Sequence, residues 1–86
     1  MMSTARTAII YVRDPVVPLV RGIVVPMLRV ARGVGEVDFD ATEQRLTLSF
    51  ESETTTLPDL VRVIEDLGTR VSSVALRHLP PRLRGE

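Results

Sequence analysis

The side chains able to do chemistry in this chain are few and scattered. The sole histidine is His78, serines stand at positions 3, 49, 52, 72 and 73, and cysteine and asparagine are absent. A nucleophilic site needs a base beside the nucleophile and a third group to orient the base. One late histidine and dispersed serines suggest no such set, and the absence of cysteine excludes disulfides, thiolate metal sites and Cys nucleophiles. Asp38 and Asp40 alternate along one stretch, a pattern that fits solvation and protection of a sheet edge better than acid–base work. Asp14, Met27 and His78 are the remaining candidate metal ligands, and they lie in three separate parts of the chain without paired spacing. Structural roles suit them: a cap or turn for Asp14, core filling for Met27, an exposed strand end for His78. The reading is of a protein that is not an enzyme and carries no cofactor.

Eighty-six residues allow one domain with a thin core. Apolar residues make up 44% and charged residues 26%, which places the chain among globular proteins, with two Phe, one Tyr and no Trp to build an otherwise aliphatic core. All eleven basic residues are Arg, and the zero net charge is segregated. Residues 1–35 carry five Arg against one Asp, residues 36–69 nine acids against two Arg, and residues 70–86 four Arg against one Glu, for +4, −7 and +3. Such segregation steers a charged partner or favours head-to-tail self-contact. No stretch approaches the ~20 apolar residues of a spanning helix, and the N-terminal apolar run stops at Arg13-Asp14 without a small-residue cleavage site. The expectation is a cytoplasmic protein without membrane insertion.

Stepping along the chain, residues 1–6 read as a flexible lead, 7–79 as a single domain, and 80–86 as a Pro/Arg-rich tail. Thr7 to Val12 is β-branched and aromatic, with Ala8, Ile10 and Val12 on one side and Ile9 and Tyr11 on the other, as in a central strand. The segment Arg13 to Gly22 holds Pro15 and Pro18, each fixing φ and withholding a donor. Val17, Val20, Val24, Leu28 and Ala31 then recur at helical spacing. Pro26 lies deep inside that pattern and predicts a kink, eased by the absence of a side chain at Gly22; the alternative is a helix that begins only at Pro26. Gly33 ends the helix. Val37 and Phe39, then Leu46, Leu48 and Phe50, alternate with polar residues across a hairpin-length linker at 41–44. Thr56-Leu57-Pro58-Asp59 reads as a capping box, followed by the stripe Leu57, Leu60, Ile64, Leu67 and a stop at Gly68. Arg70 to Leu79 is a last strand whose imperfect alternation suggests a bulge. The order β-α-β-β-α-β predicts an α+β ferredoxin-like sandwich, a four-stranded antiparallel sheet of order 4-1-3-2 with two helices on one face.

Several spaced motifs carry a more specific likeness: Val24-x-x-x-Leu28, Gly33-Val34-x-x-Val37-x-Phe39, Leu46-Thr47-Leu48-Ser49-Phe50, and Thr56-Leu57-x-x-Leu60-x-x-x-Ile64-Glu65-Asp66-x-Gly68. In these the chain resembles the heavy-metal-associated domain, the small copper-chaperone module, without gaps from Thr7 to about Val71. The resemblance implies a soft-metal site in a Gly-Met-x-Cys-x-x-Cys loop. In that register the Gly-Met positions fall on Asp14 and Pro15 and the two ligand positions on Val17 and Val20, so the thiolate site is lost. A Tyr that the family carries after the second helix is replaced by Thr69. Metal transfer as the family performs it does not carry over; a metal held by non-cysteine ligands is the alternative reading.

Binding to other macromolecules remains. RNA-binding modules of this topology stack bases on aromatics of the open sheet face, where this chain offers Tyr11 alone beside Glu36, Asp38 and Asp40, which repel phosphate. Specific nucleic-acid binding is therefore not expected. Ile9, Tyr11, Val74 and Leu76 would form an exposed apolar patch on that face if Val74 and Leu76 point outward, with Ile23 and Val25 as additional apolar surface on the first helix. The loop residues Asp14, Pro15, Pro18 and Arg21 offer a second docking surface. The expectation is a protein–protein interaction or regulatory module that binds a protein partner or associates with itself as a homo-oligomer.

Overall fold

Strand β1, Ala5–Arg13, forms the centre of the sheet in the computed structural model, which describes residues 5–77. It is followed by a helical run over residues 17–29, here α1, then β2 (Val34–Asp40), β3 (Arg45–Glu51), α2 (Leu57–Asp66) and β4 (Arg70–Arg77). The sheet order is β2-β3-β1-β4 with every neighbouring pair antiparallel, the ferredoxin-like arrangement. The first strand starts earlier than its composition suggests: Ala5 pairs with Glu51 and Arg6 with Phe50, so these two residues belong to the sheet and not to a lead. The tail at 80–86 and His78 lie outside the described residues.

Alternation builds the core directly. Ala8, Ile10 and Val12 of β1, Val37 and Phe39 of β2, and Leu46, Leu48 and Phe50 of β3 are all buried on one face, as a period of two requires. The helices supply Val20, Val24, Val25, Leu28, Leu60 and Ile64 from above. Val25 is thus a core residue, contrary to its expected place on the surface, whereas Ile23 is exposed.

The first helix answers the question posed by Pro26. Helical backbone runs without a break from Val17, which rules out a start at Pro26: Val17–Leu19 is α-helical, Val20–Val24 is π-helical and Val25–Arg29 is α-helical again. The Val25 N–H donates to the Val20 carbonyl, five residues back. A proline ring collides with the carbonyl four residues earlier in a regular α-helix, and a π-helical widening just before it is a known way to absorb the mismatch. The helix is pinned to β2 from its exposed side: the Arg21 guanidinium lies 5.3 Å from the centre of the Phe39 ring, and an Arg29 guanidinium N–H donates to the Val37 carbonyl at 3.1 Å.

The second helix stops at the expected left-handed glycine, Gly68 with φ +100, whereas the first already ends at Arg29, and Gly33, left-handed with φ +86, lies in the turn into β2 instead of at the helix end. The second helix starts on its capping residue, with the Asp59 N–H donating to Thr56 Oγ1 at 3.3 Å. A β-carbon at Gly33 would lie 2.9 Å from the Thr54 side chain, but one at Gly22 would meet no atom within 4 Å outside its own helix. Space around Pro26 therefore does not demand glycine at 22. Gly33→Ala is expected to lose roughly 1–3 kcal/mol and Gly22→Ala to gain about 0.5–1 kcal/mol, both read from urea unfolding midpoints.

Candidate functional site

The register between β1 and β4 decides which surfaces are available. From the C-terminal end, Thr7 pairs with Arg77, Ala8 with Leu76, Ile9 with Ala75, Ile10 with Val74 and Tyr11 with Ser73; the register then shifts, so that Val12 pairs with Val71. The shift leaves Ser72 as the extra residue of the expected bulge. Directly opposed residues share a face. Val74 and Leu76 therefore stand on the helix side with Ile10 and Ala8, and the expected patch of Ile9, Tyr11, Val74 and Leu76 does not exist as one surface. Ser73 and Ala75 take the places beside Tyr11 and Ile9.

What the open face does hold is mostly polar. Tyr11 lies between Arg45 and Ser73, Ile9 between Thr47 and Ala75, and Asp38 and Asp40 oppose Thr47 and Arg45 on the outer strand. Ile9 and Tyr11 are half-buried by these neighbours. The arrangement carries a single aromatic, as the sequence implied, with acidic residues beside it.

Val74 and Leu76 are nevertheless 43% and 47% exposed, because β4 is the sheet edge and α2 does not extend over it fully. Between them opens a groove of about 450 Å³ lined by Leu57, Pro58 and Val61 of α2 and by Val71 and Val74 of β4. Among the described residues nothing pairs with the outer edge of β4. Its stretch from Val71 to Leu76 has no charge, proline or glycine, and the bulge at Ser72 is the one feature there that blunts the edge. The opposite edge is protected: β2 is irregular between Val34 and Val37, with the Glu36 N–H donating to Ser49 Oγ, and it carries Glu36, Asp38 and Asp40.

The loop after β1 forms the second candidate surface. Asp14 takes a left-handed backbone with φ 47, Val16 caps α1 without a side-chain bond, and Pro18 occupies its first turn. Asp14 and Pro15 meet the α2–β4 turn around a cavity of about 160 Å³ that Arg13, Val16, Gly68, Thr69 and Arg70 also line. Arg21 belongs elsewhere, over Phe39. The two positions that the resemblance aligns with metal ligands have packing roles here: Val20 is fully buried and Val17 is half-buried against the core.

Asp14 and Met27 are separated by more than two turns of helix, and among the described residues no group of three or more His, Cys, Asp or Glu comes together to hold a metal. Among the same residues no helix is long and apolar enough to cross a membrane. Thr69 is the residue that sequence reasoning missed. It is 3% exposed, and its Oγ1 is buried without a hydrogen-bond partner. Its position after the helix-stopping Gly68 gave no signal of this, since polar residues there usually remain in solvent.

Compared with protein-family models, curated proteins and solved structures, the chain matches none. Packing alone then sets the expectation at Val17 and Val20. Val20→Ala should cost roughly 2 kcal/mol by the cavity it opens, and Val17→Ala less than about 1 kcal/mol, measured by chemical denaturation.

Proposed function

We propose that this protein is a small interaction module whose scaffold resembles heavy-metal-associated domains, and that it self-associates through the outer edge of β4. The observation that carries the reading is the uncharged free edge with Val74 and Leu76 partly exposed above the α2 groove. Large apolar side chains flanking an unpaired strand favour addition of another strand.

A second copy fits this edge by register. Antiparallel pairing about a two-fold axis centred on Ala75 sets Val74 opposite Leu76 of the second copy and Ser73 opposite Arg77 of the second copy. Opposed residues then share a face, so the apolar pair sits on the helix side, beneath α2 of both copies. No arginine of β4 falls opposite an arginine. The contact is isologous and closes as a dimer, with one continuous eight-stranded sheet. Loss of thiolates at positions 17 and 20 fits a role based on contact instead of metal transfer. Among the described residues no grouping of ligands favours the alternative of metal binding through other side chains.

Sedimentation equilibrium of the purified chain at tens of micromolar is expected to give a dimer. Leu76→Glu, a change at a partly exposed position, should give a folded monomer, whereas Tyr11→Glu on the open face should leave the dimer intact. A strict monomer at high concentration contradicts self-association, and a dimer broken by Tyr11→Glu alone moves the contact to the open face.

A further inference from the structure

Edge pairing of two copies leaves part of the groove beside β4 to be filled. The groove follows β4 from Val74 to Val71 and α2 from Leu57 past Val61 to Glu65. Only residues 67–69 separate α2 from β4, so Glu65 marks the Val71 end and Leu57 the Val74 end. In the dimer centred on Ala75, Leu76 of the second copy reaches Val74, and Arg77 of the second copy reaches Ser73. Antiparallel pairing carries that chain toward the Val71 end, so the residues after its Arg77 enter the rest of the groove. They are His78-Leu79-Pro80-Pro81-Arg82-Leu83-Arg84, which follow the described residues. By the same count Leu79 falls opposite Val71 and Pro80 opposite Arg70, where β4 begins. Proline offers no N–H to a neighbouring strand, and none is needed where pairing ends. A chain's own tail leaves β4 about 20 Å from Val71 and would have to turn back along the edge that the dimer uses. The tail of the second copy needs no turn.

We infer that residues 79–84 of each copy dock in the groove of the other, an inference that rests on the pairing proposed above. Leu79 and the two prolines cover the apolar walls that Leu57, Val61 and Val71 provide. A Pro-Pro pair holds the chain extended in advance, so docking costs little conformational entropy. Arg82 and Arg84 follow with no acid before Glu86. They meet the last turn of α2, where Glu65 and Asp66 are exposed and Glu65 is the charged residue of the groove. Arg70 stands at the same end and opposes them in part, so the apolar contact contributes more than the charge. The basic tail and the acidic middle of the sequence, at +3 and −7, thus complement each other between copies.

Sedimentation equilibrium of the full chain and its variants distinguishes tail docking from edge pairing. Leu79→Ser combined with Leu83→Ser is expected to weaken the dimer about tenfold without abolishing it. Arg82→Glu and Glu65→Arg should each weaken it about threefold, and the two together should restore it, as a direct charge pair requires. Thermal unfolding verifies that each variant is folded. Gly85→Cys supplies a single thiol for a nitroxide label, since the chain has no cysteine. In dimers mixed from such chains at natural isotope abundance and ¹⁵N-labelled wild type, the amides at 57, 61 and 65 are expected to broaden. Dimer affinity unchanged by the tail variants would overturn tail docking and leave edge pairing standing. Broadening confined to the chain that bears the label would put the tail in its own groove and overturn the exchange equally. A wild-type chain that is a strict monomer removes edge pairing and tail docking together.

Discussion

Strand β1 carries the fold because it is hydrogen-bonded along both edges and packed on one face. Its partners are β3 and β4, and its residues Ala8, Ile10 and Val12 are almost wholly removed from water. In an 86-residue chain whose core is aliphatic apart from Phe39 and Phe50, burial on this scale is the main source of stability. Each helix completes it from above, α1 through Val20, Val24 and Leu28, α2 through Leu60 and Ile64. The register of β1 against β4 then fixes which side chains stand at the open edge as well. One extra residue at Ser72 sets which side chains of the edge strand face the helices and which face solvent.

That single residue explains how far the sequence could be read. Element order, sheet order and the glycine stop at Gly68 are legible because period-two alternation, period-3.6 spacing and left-handed turns leave direct marks on composition. The face on which Val74 and Leu76 lie is not, because Val71-Ser72-Ser73-Val74 fits either parity until the bulge is placed. A one-residue shift moves every later side chain to the other face. The expected patch was built on the wrong parity, and the apolar surface belongs instead to the β4 edge and the α2 groove.

The region after β1 was legible in kind and not in detail. Two prolines and the valines at 17 and 20 announce a loop without thiolate chemistry, and Val20 is buried in the core. How Pro26 is accommodated depends on where the helix carbonyls can move, and a π-helical stretch from Val20 to Val24 is a packing outcome, not a sequence motif. Thr69 was invisible for a related reason. A threonine after a helix stop usually lies in water, whereas here it is 3% exposed in the turn that faces the β1–α1 loop. At that end of the domain Arg13, Asp14 and Arg70 line a cavity together with the α2–β4 turn.

Pairing of β4 with its own copy is the central claim, and its geometry allows one direct measurement. The chain has no cysteine, so Ala75→Cys introduces a single thiol at the residue placed on the two-fold axis. Opposed residues of antiparallel strands lie about 4.5–5.5 Å apart, within the span a disulfide needs. Mild oxidation is expected to give a covalent dimer of Ala75→Cys at micromolar concentration, with Thr47→Cys on the open face remaining monomeric. An Ala75→Cys chain that stays reduced and monomeric, while Thr47→Cys cross-links, would contradict the account.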